Sequence, residues 1–420
     1  MKLCLPAVLY SLVLNASQNM LSFFPFTSRL RIGVEKLHPR DCFVPNSPSP
    51  GGNEPNNSIA IVTGSNTGVG FETASGLAER GYHVILACRS RDKGEAAAEK
   101  INRRLESLKD DVGGHLVSQH FIQGGNASFL HPLDLASFAS IRSFCKVFSK
   151  KYNSLNVLVN NAGINSQGDV TEDGLEMCFQ SNFVGHFLLT KLLLKHLLRA
   201  KNMYQPGSGI EEEAGRIVNL SSVTHHFAPA NERVFATSDS KNLPLNNGIH
   251  DQHFWLGSAS PGLSSGTYRE SKLASILFSM ELNKKYGGRG IRSIAVNPGS
   301  VSSNIWRNQS SMMQKAYKIV YLTPQQGSST SLAGAIGAIP KDDVLYLQPY
   351  WQPELKRPKQ QSTTNMFSFR WRYCLPFPMT EMLGPYIGYA ITEPRLPVDG
   401  FGGYKSSEAL WNVCEQIVNK

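Results

Sequence analysis

Tyr268 and Lys272 stand four residues apart in YRESKLASILFSMEL, a spacing that puts a phenol and an ammonium on one face of a helix. A phenol titrates near ~10, so acid–base work near neutrality asks for a proton held roughly 100- to 1,000-fold more loosely, about 3 to 4 kcal/mol. An ammonium ~4 Å away supplies about 1 kcal/mol in water but about 4 at an effective dielectric of ~20. Lys272 therefore suffices only in a partly dry cleft. Ser222 ends the strand-like run RIVNLSS, and Asn182 sits in the helical stretch FQSNFVGHFLL, where a polar side chain among apolar ones needs a partner. Taken singly, each has an ordinary reading: a chance surface spacing, a satisfied core amide. Their weight comes from their order in the chain.

Upstream, Thr63, Gly64, Gly68 and Gly70 form T-G-x-x-x-G-x-G between IAIVT and a helical pattern from Val69 to Arg80. A strand-to-helix turn presents free backbone N–H groups and a positive helix end to a pyrophosphate. Thr63, Gly64, Ser65, Asn66, Thr67, Gly68, Val69 and Gly70 are therefore the expected phosphate cradle. Asn160, Asn161, Ala162 and Gly163 follow the apolar run LNVLV, where the chain leaving a sheet can pack on a cofactor. After HVILAC comes Arg89, with Arg91 and Lys93 behind it. An arginine there accommodates a 2′-phosphate where an acid would read the ribose hydroxyl, so NADP(H) is expected over NAD(H).

Positioning these groups needs a sheet. Short β-branched runs alternate with helical patterns: IAIVT, the Val69–Arg80 helix, HVILAC, a helix from Lys93 to about Leu108, then strands at 155–159, 216–220 and 291–296. This is the rhythm of an α/β fold, a Rossmann-like doubly wound parallel sheet with its cleft at the carboxyl ends of the strands. Residues 45–58, dense in Pro, Gly, Asn and Ser, read as a linker, so 1–58 form a leader and 59–420 a single domain. Two stretches, 223–267 and 340–400, break the rhythm and are read as insertions around the site. Within the second, residues 346–378 carry eight aromatic and five basic residues against the single acid Glu354, which suits a lid or a membrane-facing patch.

With 41% hydrophobic and 18% charged residues the chain can bury a sizeable core, which excludes wholesale disorder. A net charge of +10 suits anionic partners, a phosphorylated cofactor or a membrane surface among them, without choosing between them. The seven cysteines have no metal-ligand spacing and are read as free thiols; His225, His226, His250 and His253 have none either, so no metal is expected. Leu3 to Leu14 is an apolar run behind Lys2, shorter than the ~20 residues of a spanning helix but suited to a signal peptide or marginal anchor. The acid-poor segment 17–40 is similar to organellar transit sequences, so endoplasmic-reticulum membrane association or organelle targeting is expected over a cytoplasmic location.

TGSNTGVG, NNAG, Asn182, Ser222 and YRESK occur in the order and approximate spacing of the short-chain dehydrogenase/reductase family. NPGSVSS at 297–303 resembles that family's later cofactor-contacting segment, and HVILACRSRDKGEAA and RIVNLSSVTHH look most like its retinol dehydrogenase branch. The resemblance covers about 59–335 and resumes near 400–418. It implies that Tyr268 exchanges the proton, that Lys272 lowers the Tyr268 pKa and meets the nicotinamide ribose, that Ser222, more than Ser221, orients the substrate oxygen, and that Asn182 anchors a water. It further implies cofactor contacts at Asp134, Leu135, Asn161, Ala162, Gly163, Pro298, Gly299, Val301 and Ser303. Asp134 could also cap the helix that follows it. Two features depart from the family: residues 223–267 lengthen the connection between Ser222 and Tyr268, and Ser303 stands where threonine is commoner. The implied function is an NADP(H)-dependent oxidoreductase on a small apolar alcohol or carbonyl such as a retinoid, steroid or fatty aldehyde. No nucleic-acid partner is expected, and there is room for peripheral membrane contact and a homodimer. The competing reading is a catalytically weak NADP-binding regulatory protein.

Overall fold

The computed structural model describes residues 58–110, 124–165, 169–204, 211–228, 266–303, 321–337, 346–350, 388–391 and 404–419, with single positions 305, 310, 311, 314, 315 and 396. The leader, most of the 223–267 segment and residues 351–387 lie outside them.

The expected rhythm is present. β1 (Ile59–Thr63), α1 (Gly68–Ala78), β2 (His83–Ala87), α2 (Arg91–Asp110), β3 (Asn126–Phe129), α3 (Phe138–Lys151) and β4 (Val157–Asn160) make the first half. A long helical run follows in three pieces: α4 (Met177–Phe179), a π-helical turn (Gln180–Val184) and α5 (Gly185–Leu197). After a small antiparallel pair, β5 (Asn202–Tyr204) and β6 (Glu211–Glu213), come β7 (Arg216–Leu220), a 3-10 turn (Val223–Phe227), α6 (Gly266–Tyr286) and β8 (Arg292–Val296). The chain closes with α7 (Pro324–Ile336), β9 (Tyr346–Tyr350), β10 (Gly388–Ile391) and α8 (Tyr404–Val418).

The main sheet has the order β10-β9-β8-β7-β4-β1-β2-β3, parallel throughout except for β10 against β9. The order reverses between β1 and β4, the crevice where such sheets bind ligands. Strands covered on both faces read as continuous apolar runs, and β1, β4 and β7 are buried at every position. Alternate residues serve two cores. Ile59 and Ile61 face a cluster with Phe144, Phe183, Phe187, Leu277, Phe278 and Trp411. Ala60 and Val62 face another with Leu77, Ile101, Leu105, Leu332 and Ile336. Helix α8 lies on α6, with Trp411 edge-on to Phe187 at 5.0 Å between ring centroids.

The segment 340–400, read as an insertion, enters the sheet at both ends as β9 and β10, and Tyr346 and Leu347 are buried core residues. Its middle, the aromatic and basic stretch, lies outside the described residues. Asn219, a glycosylation sequon by sequence, is buried in β7 and bonds Ser279 and Ser293 through Nδ2 while accepting from Asn160 Nδ2. The four described cysteines, Cys88, Cys145, Cys178 and Cys414, are buried and form no disulfide with one another.

Candidate functional site

The turn after β1 needs its glycines for two separate reasons. Gly64 and Gly68 each have φ +63, the left-handed region that costs a residue with a Cβ. Gly64 and Gly70 also lie against the NNAG turn: a Cβ on Gly70 would sit 2.3 Å from Asn161 Nδ2, and one on Gly64 2.9 Å from Ala162 Cα. Helix α1 starts beyond this turn with no side-chain cap from Thr67 and no acid in its first turn. Its leading N–H groups therefore retain donor capacity and a positive end. Ser65 Oγ is buried with no partner in the protein. Uncapped amides, an orphaned hydroxyl and a close glycine turn fit a dinucleotide pyrophosphate.

Thr63 does not face that cradle. It is fully buried, and its Oγ1 accepts from the N–H groups of Asn161 and Ala162, each at 2.9 Å. Asn161 Nδ2 donates back to the Thr63 carbonyl at 2.7 Å. The two turns at the carboxyl ends of β1 and β4 are thus one locked unit.

Asn182 lies in the π-helical turn, a device that often marks functional positions. Its side chain is fully engaged. Oδ1 accepts from Ile164 N–H at 2.8 Å, while Nδ2 donates to the Ile164 carbonyl at 3.0 Å and to Ser271 Oγ at 3.1 Å. Ser271 Oγ in turn donates to the Tyr268 carbonyl at 2.7 Å, so Asn182 ties the chain after NNAG to the first turns of α6. A Cβ on Gly163 would lie 3.3 Å from Asn182 Oδ1 and 3.5 Å from Lys272 Nζ, so glycine there lets those groups close in.

Ser222 caps the 3-10 turn after β7, accepting from Thr224 N–H at 3.2 Å, and its hydroxyl shares a hydrogen bond with that of Tyr268. Ser221 is spent elsewhere, donating to the Lys272 carbonyl at 2.8 Å. Lys272 Nζ donates to the Leu220 carbonyl at 2.9 Å and stands 5.4 Å from the centre of the Tyr268 ring. Ser222, Tyr268, Lys272 and Asn182, spread over ninety residues of sequence, therefore meet beside the locked turns.

The electrostatics differ from the expectation that Lys272 lowers the Tyr268 pKa. Burial raises the Tyr268 hydroxyl above its ordinary value, helped by nearby Cys178, and the Ser222 hydrogen bond opposes this only in part. Lys272 is drawn down to about 8, again by burial. Desolvation thus outweighs the charge effect among the protein groups. Because the folded chain holds this proton more weakly than the unfolded one, the unfolded chain binds more protons between about pH 8 and 10.5, and stability rises with pH across that window. Below it the buried ammonium costs about 3 kcal/mol, offset by about 1 from its hydrogen bond. Lys272→Met should therefore raise the Tm of nucleotide-free protein by a few degrees at pH 7, and the gain should vanish near pH 10.5. Thermal unfolding across this range checks it; a variant less stable at pH 7 would contradict it.

The remaining residues lie around this centre. Arg89 is exposed just beyond β2, its Nη1 3.8 Å from Asp134 Oδ2. Asp134 does not cap α3: that role belongs to Ser137, which accepts from Ser140 N–H, while Asp134 Oδ1 accepts from Ala136 N–H at 3.0 Å. Leu135 is buried where α5 begins; a Cβ on Gly185 would be 2.4 Å from its carbonyl oxygen. Gly299 has φ +80 and donates its N–H to Asn297 Oδ1 at 3.0 Å. Val301 and Pro298 pack on Gly327 of α7, and Ser303 Cβ would lie 3.6 Å from a Cβ on Gly68. Two residues escaped the sequence reading: Ser271, and His186, which joins Asn182 to Thr63. The signal for His186 was there, a polar ring on the apolar face of FQSNFVGHFLL. Among the described residues no group of His, Cys, Asp and Glu is arranged to hold a metal ion, and no helix is long and apolar enough to cross a membrane.

The short chain dehydrogenase profile matches residues 58–115 and 113–240. Retinol dehydrogenase 11 of Mus musculus is 38% identical over 282 residues, 66% of this chain and 73% of that protein. Retinol dehydrogenase 12 of Homo sapiens is 31% identical over 318 residues, 75% and 83% of the two chains. A crystal structure of an uncharacterized protein from Mycobacterium paratuberculosis superposes with a TM-score of 0.52 at 23% identity, covering 86% of this chain and 94% of its own, and so shares the fold.

Proposed function

The chain belongs to the short chain dehydrogenase family, in its retinol dehydrogenase-like branch, and from that premise we propose that it is an NADP(H)-dependent oxidoreductase interconverting an alcohol and a carbonyl on an apolar substrate. The observation that carries the reading is the convergence of Ser222, Tyr268, Lys272 and Asn182 beside the locked glycine and NNAG turns. A bound nicotinamide supplies or takes the hydride. The glycine turn and α1 amides hold its diphosphate, and Gly163 leaves room for the groups that face it. Tyr268, protonated across the neutral range, gives its proton to the carbonyl oxygen as the alkoxide forms, while Ser222 holds that oxygen in place. Lys272 keeps a positive charge beside the phenol and restores its proton. Asn182 serves as a clamp on the Ile164 segment and α6, since its side-chain groups are spent on protein partners. The substrate class, retinoid, steroid or fatty aldehyde, follows by analogy with the retinol dehydrogenases, and a membrane-associated location rests on the apolar N-terminal run.

The test is oxidation of NADPH and NADH by the full-length chain against retinaldehyde, long- and short-chain aldehydes, and ketosteroids. Turnover with NADPH on a long apolar carbonyl supports the reading; nucleotide binding without turnover on any of them favours the regulatory alternative. Cofactor choice has its own test. The Arg89–Asp134 pair is exposed and loose at 3.8 Å, worth little, so Arg89 is free to meet a 2′-phosphate. Arg89→Ala should weaken NADPH binding about 10- to 100-fold and leave NADH almost untouched. A preference for NADH in the parent, or equal weakening of both, removes Arg89 from that role.

A further inference from the structure

His186 is buried at the start of α5, four residues after Asn182, and both ring nitrogens are used. Nδ1 lies 3.0 Å from the Asn182 carbonyl, which can only accept, so Nδ1 carries the hydrogen. Nε2 lies 2.8 Å from Thr63 Oγ1. That oxygen already accepts from the N–H groups of Ala162 and of Asn161, the latter shared with the Val159 carbonyl, and of the two acceptors within reach of its own hydrogen, Nε2 is nearer than the Val159 carbonyl at 3.4 Å. The hydroxyl therefore donates to a bare Nε2. The Nδ1–H tautomer of neutral imidazole matches each donor to an acceptor at the shorter of these distances. Burial, with the positive Lys272 nearby, lowers the His186 pKa to about 4, which keeps the ring neutral.

We propose that His186 is a positioning residue that ties the nucleotide turn at Thr63 to the π-helical turn carrying Asn182, acting only as the Nδ1–H tautomer. It does not touch the reacting atoms. It holds the Asn182 carbonyl, and through the Asn182 side chain the Ile164 segment and Ser271, in register with the glycine and NNAG turns. The link rests on the proposed assignment of Asn182 and Tyr268 to the reacting group. Without it the nucleotide turn keeps its two amide bonds to Thr63, whereas the π-helical turn loses its tether. Catalysis should therefore suffer more than nucleotide binding.

The test uses full-length protein labelled with nitrogen-15 in histidine, with His186→Gln assigning the resonance. The expected signature is a protonated Nδ1 and a bare Nε2 from pH 5 to 9. In kinetics at saturating NADPH, His186→Phe should lower kcat about tenfold or more while the NADPH dissociation constant moves less than threefold. His186→Gln, whose amide reaches the Nε2 position and accepts from Thr63, should recover most of the loss. An Nε2–H tautomer, an unchanged kcat in His186→Phe, or a Gln variant no better than Phe overturns the proposal. If His186→Phe does not fold, the tautomer and the Gln variant decide it. If the parent turns over no carbonyl, the oxidoreductase reading fails separately, and the tautomer still tells whether the link exists.

Discussion

Replacing Tyr268 with phenylalanine is expected to lower kcat about 100- to 10,000-fold, the range supplied by a positioned acid–base group, and to leave nucleotide affinity within about twofold. The substitution removes one hydroxyl and keeps the ring, so the packing against Lys272, 5.4 Å from the ring centre, survives. What disappears is the hydrogen bond with Ser222 and the proton held there. Because burial keeps that hydroxyl protonated well above neutrality, the fall of carbonyl reduction with rising pH should follow Lys272, drawn down to about 8, and not the phenol. Steady-state kinetics and a fluorescence titration with NADPH separate the two effects. Activity within a few-fold of the parent would end the assignment of Tyr268 as the proton donor.

The second large effect is structural. Removing residues 404–420 takes away α8, and with it Leu410, Trp411, Cys414 and Val418, all buried in the core cluster on α5 and α6. At about 1.5 to 3 kcal/mol for each large apolar side chain, the loss approaches the 5 to 15 kcal/mol by which folded proteins are stable. Phe187 and Phe278, which meet Trp411 at 5.0 and 5.9 Å between ring centroids, would face water. The hydrogen bond from Ser407 Oγ to the buried Glu281 would be lost as well. The shortened chain is expected in the insoluble fraction or as a protease-sensitive aggregate, whereas Trp411→Phe should remain soluble with a modestly lower Tm. A soluble truncation melting within a few degrees of the parent would show that α8 is peripheral.

The central strands and glycine turn were readable because their signals are local: an apolar run, then residues whose φ or close contacts admit only glycine. The failures have physical causes too. β3, Asn126–Phe129, starts on an exposed Asn and has only Ala127 buried, so it shows no apolar run. β9 reads as a break because of Pro349. Yet its pairing with β8 involves only Tyr346 and Leu347, and the proline, lacking an N–H, lies beyond that pairing, opposite Tyr389 of β10. A π-helical turn has the composition of any helix, so only the three-dimensional partners of Asn182 reveal it. At Tyr268 loss of water outweighs neighbouring charge, and how far a phenol is buried depends on packing that the four-residue spacing to Lys272 does not encode.

The buried thiols have a chemical consequence for a protein that handles carbonyls. Conjugated aldehydes alkylate thiolates, and a thiol reacts in proportion to its ionised fraction and its access to solvent. Burial pushes Cys88 up to about 11 and Cys145 up to about 12, and Cys414 higher still. At neutral pH roughly one in ten thousand Cys88 side chains is ionised, and fewer of the others. Cys178, beside the site, is wholly buried and gives its hydrogen to the Ile164 carbonyl. Cys88, Cys145 and Cys414 therefore offer an electrophilic aldehyde almost no nucleophile, so the fold shields them from adducts with the compounds the site would turn over.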